Sequence, residues 1–223
     1  MNKSVMILAA GRGERMGNLT KETPKPLLIF KGKPLIVWHI EKLAAAGFKD
    51  IVINVSYLAE KIKSYLANGS QWGVQINFSD ENPVLETAGG IKNALPLLKS
   101  DPFLVINSDI YSDMDYAELY EHDLPNNIEG FLFFVKNPAH NPKGDFLLSN
   151  DGEVFNEGVI KKTFSGVALY RPNFFYDLPS NESIKLSDVL KEKVAKKLIK
   201  GKLFNGLWID IGTPERLMGQ DNL

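Results

Sequence analysis

Four short apolar-rich runs, VMILA (5–9), IVINV (51–55), VQINFS (74–79) and PFLVINSD (102–109), punctuate the first half of this chain. The stretches between them repeat their apolar residues at helical intervals. Runs that lack strict polar alternation need cover on both faces, as strands do in a sheet sandwiched between helices. Strands alternating with helices require crossover connections, so the pattern predicts a largely parallel sheet with right-handed crossovers. PLIVWHIEKLAAAG (34–47) opens on proline, spaces Leu35, Trp38, Ile40 and Leu43 helically and stops at Gly47, as a helix does. LAEKIKSYLANG (58–69) closes on Asn68-Gly69 in the same way. TAGGIKNALPLL (87–98) reads as a third helix, entered through small residues, with Thr87 available as its cap.

Near residue 130 the pattern changes. GFLFFV, DFLLS, EVFN and TFSGVALY are short strand-like runs separated by Asn, Pro, Asp and Gly, with a hairpin-like SNDGEV at 149–154. Such runs predict antiparallel strands forming a lid or side lobe over the parallel sheet. An amphipathic helix over 185–198 and a strand meeting a helix start in LWIDIGTPERL complete the pattern. With no linker or repeat in view, residues 1–223 are expected to form one α/β domain, its two parts being 1–125 and 126–223.

Composition narrows the partners. Twenty-six basic and 27 acidic residues are interspersed for a net charge of −1, which offers no basic block to nucleic acid. There are no cysteines, so disulfides and thiolate metal sites are excluded and a reducing compartment suits the chain. The apolar run near the N-terminus is too short for a secretory signal, and no run approaches the roughly 18 apolar residues of a membrane span. A soluble cytoplasmic protein is the expectation.

The first strand runs into AAGRGERM (9–16). A glycine-rich loop at the carboxyl end of a central strand places backbone N–H groups where open α/β sheets bind ligands. Two familiar motifs fail here. The dinucleotide fingerprint needs a third glycine where Met16 stands, and the G-K-[ST] ending of the P-loop does not occur. Instead Arg15 follows the two glycines, and Lys25 sits between Pro24 and Pro26, which restrict the backbone around it. Two cations beside a peptide nest suit a triphosphate.

LAAGRGERM with TPKPLL resembles the signature of the sugar-phosphate nucleotidyltransferases, which couple a nucleoside triphosphate to a sugar 1-phosphate. The similarity continues through LETAGGI, PFLVINSD, KGDF, TFSGVALYRP and WIDIGT, in that order along the chain. It implies a Rossmann-like three-layer α/β/α fold of the glycosyltransferase-A type, without the β-helical acyltransferase domain that bifunctional relatives append. It further implies transfer of UMP from UTP to a sugar 1-phosphate, with N-acetylmuramic acid 1-phosphate as the sugar, by a monomer or weak homo-oligomer. Guanylyl or cytidylyl transfer to another acceptor would share nearly every motif, because base choice is weakly encoded. A nucleotide-sugar glycosyltransferase would lack the Arg15/Lys25 pair, and a non-catalytic nucleotide-binding regulator would be expected to have lost Lys25 or an aspartate.

Residue by residue, the resemblance assigns Ala10, Gly11, Arg12, Gly13, Glu14, Arg15 and Lys25 to the nucleotide, with Thr87, Ala88 and Gly89 at its base. Asp109, which on its own is a turn former as readily as a ligand, matches a metal-binding aspartate, and Asp210 matches a second; Mg²⁺ is the implied cofactor. Asp113 resembles the start of a helix cap more than a ligand. Asn107, Gly144, Asp145, Glu157, Ser165 and Gly166 are implied for the sugar-phosphate pocket. Many relatives place a lysine directly after the glutamate that Glu157 matches, and this chain does not, so the cation that holds the sugar phosphate is open. Lys143 is a candidate for the lactyl carboxylate of a muramyl sugar, and equally an exposed loop lysine. His39, His122 and His140 have no ligand partners at helical spacing and read as structural or surface residues. Arg15, Lys25 and Asp109 are the expected catalytic set, because an anionic acceptor phosphate needs charge neutralisation and positioning more than a general base.

Overall fold

A computed structural model describes residues 3–219. In chain order its elements are β1 (Ser4–Leu8), β2 (Ile29–Phe30), β3 (Lys33–Pro34), α1 (Leu35–Ala45), β4 (Asp50–Val55), α2 (Ala59–Leu66), β5 (Gln75–Asp80), α3 (Glu86–Ala94), β6 (Phe103–Asn107) and β7 (Ile110–Ser112). There follow α4 (Tyr116–Glu121), β8 (Gly130–Val135), β9 (Phe146–Leu148), β10 (Val154–Phe155), β11 (Lys161–Tyr170), α5 (Leu186–Ala195), β12 (Ile199–Leu203), β13 (Trp208–Asp210) and α6 (Pro214–Met218).

The four sequence runs become β5, β4, β1 and β6, adjacent in that order and parallel throughout. Side chains alternate between the two faces of a strand, and β1 shows why its run carries no polar gap. Val5 and Ile7 pack with Ile36 and Ile40 of α1 and Ile62 of α2. Met6 packs the other way, with Ala88 and Ile91 of α3 and Val189 of α5. Both faces are thus dry, and each such side chain is worth about 1.5–3 kcal/mol on burial.

The expected antiparallel strands are present, and they continue the sheet edge to edge. β11 pairs antiparallel with β6 from Val167 to Tyr170, and with β8 on its other side. β12 then adds parallel to β8. Only β9 and β10 form a small side ribbon, on the leading end of β11. The register of β11 against β8 shifts between Phe164 and Ala168, and Gly166 sits in that bulge at φ +79°. A bulge re-aims the chain, and this one lies on the cleft described below.

Three local expectations change. α3 starts one residue before Thr87, with Leu85 at the cap position, so Thr87 lies inside the first turn and caps nothing. Pro96 has no N–H to continue the ladder, and the segment after Ala94 tightens into a single 3-10 turn, Leu95–Leu97. The cap of α4 is Asp115, whose side chain accepts from the Ala117 N–H at 2.8 Å, and not Asp113.

Candidate active site

The loop after β1 is set by the strand's own end. The Ala9 N–H donates to Asn54 Oδ1 at 2.8 Å, and Asn54 Nδ2 donates to Glu81 Oε1 at 2.7 Å. Glu81 Oε2 accepts from the Leu85 N–H at 2.9 Å. This buried relay ties the loop entrance to the start of α3, across the ends of β4 and β5. Gly13 then turns at φ +66°, and a Cβ there would stand 3.1 Å from Lys25 Cβ and from Thr20 Cγ2. The absent side chain is what lets the loop lie against Lys25. Ala10 is buried, while Gly11, Arg12, Glu14 and Arg15 are exposed. Arg12 lies over the Tyr57 ring at 5.7 Å, and Arg15 faces the cleft.

The two aspartates, about a hundred positions apart, meet through the pairing of β7 with β13, which sets Asp210 opposite Ile110. The Ile211 N–H donates to the Asp109 carbonyl at 2.8 Å. Both carboxylates line one cleft of about 250 Å³ together with Arg15, Asn107, Asp145, Ser165 and Gly166. Lys25, only 8% exposed, donates to Asp109 Oδ2. Asp210 Oδ2 accepts from Arg216 at 2.9 Å and lies 3.1 Å from His140 Nε2. Asp210 Oδ1 is buried without a partner. Gly212 gives Arg216 its room, since a Cβ there would stand 2.2 Å from the guanidinium.

Further along the cleft, Gly166 allows the Asn107 side chain to lie flat against it, since a Cβ would stand 2.6 Å from Asn107 Nδ2. Trp208 Nε1 donates to the Ser165 carbonyl at 2.9 Å. Asp145 is held from two directions, accepting from the Phe164 N–H at 2.8 Å and from Asn141 at 3.0 Å. Gly144 turns at φ +66° directly before it. Glu157 and Lys143 stand apart from these residues. Glu157 is exposed beside Lys161 at 3.9 Å, on a loop whose Val159 is 99% exposed, and Lys143 is exposed on the turn before Gly144. No apolar side chain draws that loop inward, so the structure leaves it outside the cleft.

Thr87 is half-buried, whereas Ala88 and Gly89 are buried and direct their N–H groups to the Ile184 carbonyl at 2.9 and 3.3 Å. Their small size has a packing cause. A Cβ on Gly89 would stand 2.3 Å from the Glu182 carbonyl oxygen, and one on Gly90 would stand 2.2 Å from Glu81 Oε1. His39 is structural, with Nδ1 3.0 Å from the Tyr116 hydroxyl. Burial lowers its pKa to about 4, which the Ile110 backbone and Asp109 offset only in part. Burial likewise pushes the Tyr116 hydroxyl up. His140 departs from the expectation of a surface role, since it lines the cleft. Arg216 and His140 were invisible to spacing, because only the fold brings them to Asp210.

A mostly parallel sheet, two carboxylates beside one another and a glycine-rich loop against a lysine define a phosphate-handling transferase. Residues 4–145 match the nucleotidyl transferase family, and the chain belongs to it. It is 48% identical over 217 residues to N-acetylmuramate alpha-1-phosphate uridylyltransferase of Neisseria meningitidis serogroup B, covering 95% of this chain and 94% of that protein. It is 30% identical to the mannose-1-phosphate guanylyltransferase catalytic subunit beta of Drosophila melanogaster, covering 94% of this chain and 59% of that protein. The structure of HddC from Yersinia pseudotuberculosis complexed with GMP-PN aligns with a TM-score of 0.78 at 26% identity, over 97% of each chain. Among the described residues, no helix is long and apolar enough to cross a membrane.

Proposed function

We propose that this protein transfers UMP from UTP to N-acetylmuramic acid 1-phosphate, releasing pyrophosphate and forming UDP-N-acetylmuramic acid in the cytoplasm as a monomer or weak homo-oligomer. The observation that carries the choice of base and sugar is the near full-length 48% identity to the Neisseria uridylyltransferase. An acceptor phosphate oxygen attacks the α-phosphorus, the bond from that phosphorus to the bridging oxygen breaks, and pyrophosphate leaves with the electron pair. No proton has to be removed from the nucleophile. The chain's work is therefore to hold two polyanions in line and offset their charge, and positioning of this kind contributes roughly 7–11 kcal/mol in favourable systems.

Arg15 and the backbone of residues 11–15 take the β- and γ-phosphates in this reading, and Lys25 takes the α-phosphate, where each well-placed donor is worth a few kcal/mol. Asp109 and Asp210 suit Mg²⁺, a hard cation bound through one or two carboxylates together with substrate phosphates. Asp210 Oδ1, buried and unpartnered, is consistent with a carboxylate whose bonding is incomplete without a ligand. A divalent cation there supplies charge neutralisation to the phosphates. Asn107, Asp145, Ser165 and Gly166 form the acceptor pocket, and Thr87 with the start of α3 lies on the nucleotide side.

The test is pyrophosphate release with each nucleoside triphosphate against a panel of sugar 1-phosphates and Mg²⁺. UTP with N-acetylmuramic acid 1-phosphate is expected to give the highest kcat/KM. A higher value for GTP with mannose 1-phosphate, or no release with any pair, overturns the proposal.

A further inference from the structure

Arg15 and His140 both line the cleft and present side-chain nitrogens to it. Arg15 is engaged with the triphosphate in the proposed function, which leaves the acceptor's own anionic groups to the remaining donors of the cleft, Asn107, Ser165 and the imidazole of His140 among them. Glu157 stands outside the cleft with its side chain 95% exposed.

His140 is held beside those cleft residues. Its loop is tied to β11 by side-chain bonds on both flanks. Asn137 Nδ2 donates to the Lys161 carbonyl at 3.1 Å, and Thr163 Oγ1 donates to Asn137 Oδ1 at 3.0 Å. Asn141 Nδ2 bridges Asp145 Oδ1 at 3.0 Å and Thr163 Oγ1 at 3.2 Å. Residue 140 is thus anchored beside the pocket floor while its imidazole, 37% exposed, reaches across to Asp210 Oδ2 at 3.1 Å.

We propose that His140 is a substrate-binding residue, whose imidazole N–H donates to an anionic oxygen of the acceptor sugar 1-phosphate. The inference rests on the uridylyl-transfer reading. The donor recognises a phosphate or a carboxylate alike, and a muramyl acceptor offers both, at C1 and on its lactyl ether.

Steady-state kinetics of His140→Ala and His140→Gln separate the sources. N-acetylmuramic acid 1-phosphate is compared with N-acetylglucosamine 1-phosphate, which lacks the lactyl group, as alternative acceptor or competitor. A hydrogen bond to a charged group is worth about tenfold or more in affinity. His140→Ala is therefore expected to raise the muramyl acceptor KM about tenfold, with UTP KM within twofold and an unchanged melting temperature. His140→Gln, which keeps an N–H donor, recovers part of the loss. Equal weakening of both sugars assigns the phosphate, and weakening of the muramyl sugar alone assigns the lactyl carboxylate. An active wild type whose acceptor KM is unmoved by His140→Ala overturns this inference alone, as does a loss confined to UTP KM. Absence of turnover by the wild type with every acceptor overturns the uridylyl-transfer reading and this inference with it.

Discussion

His39 makes the stability of this fold fall with acid in a way that can be calculated. In the native state it is 2% exposed, stacks on Tyr116 with ring centroids 6.4 Å apart, and keeps its proton only below about pH 4. In the unfolded chain it protonates near the ordinary 6.5. As pH falls through 6.5 the unfolded state therefore gains a proton that the native state refuses, and stability is lost. The loss is complete below about pH 4 and absent well above 6.5. The full gap corresponds to about 3.4 kcal/mol, of which about 2 kcal/mol is already lost at pH 5. For a chain of this size that is a fall in Tm of roughly 4–8 °C. The comparison is with His39→Gln, which does not titrate and can still accept from the Tyr116 hydroxyl. Its own packing cost is the same at every pH, and other titrating groups such as His122 are shared, so both cancel. Unfolding followed by circular dichroism at pH 7.5, 6 and 5 should show the wild type losing about 2 kcal/mol more than the variant between the two ends. Parallel stability curves for the two proteins would refute the account of His39 as a buried neutral imidazole.

Two further perturbations test the cleft. Lys25→Met keeps the buried stem and removes the charge that faces Asp109, so kcat should fall about 10²–10³-fold while the far-ultraviolet spectrum is retained; turnover near that of the wild type would remove Lys25 from its assigned role. Gly166→Ala introduces a Cβ 2.6 Å from Asn107 Nδ2 at φ +79°. The backbone part costs about 1–2 kcal/mol and the clash adds to it, so chemical denaturation should show a smaller penalty in an Asn107→Ala background, where the Nδ2 and Cγ contacts are gone and only the Cβ contact at 3.2 Å remains.

The central sheet was legible because burial on two faces leaves a signature in composition. β1, β4 and β6 could not carry a regular polar position without burying it, and so each run betrayed its place. The antiparallel strands were legible as strands, but their position was not. Whether β11 lies over the sheet or extends it depends on whether its backbone groups pair with β6, and residues 167–170 pair with residues 103–106 through contacts that no local pattern encodes. The glycines of α3 illustrate a similar ambiguity. The resemblance assigns Thr87, Ala88 and Gly89 to the nucleobase, yet Gly89 and its neighbour Gly90 are close against the Glu182 carbonyl and Glu81, a packing need that produces the same letters.

The site shows where sequence spacing loses its power. Arg15 was found because it follows the two glycines directly, and Lys25 because Pro24 and Pro26 flank it ten residues further on. Asp109 and Asp210 were paired only through family resemblance, and the pairing has a simple physical carrier in the β7–β13 ribbon and the bond from the Ile211 N–H to the Asp109 carbonyl. Arg216 follows from the same short segment. Six residues after Asp210, on the first turns of α6, it can fold back onto that carboxylate only because residue 212 has no side chain. Gly212 became a local trace of that contact only once the fold was known. His140 left no such trace, since it reaches Asp210 across 70 positions from a loop fastened by asparagines and a threonine. A donor delivered in this way is free to differ between relatives without disturbing the sheet, which is why the acceptor side, and not the nucleotide loop, is where a specificity determinant of this chain should be sought.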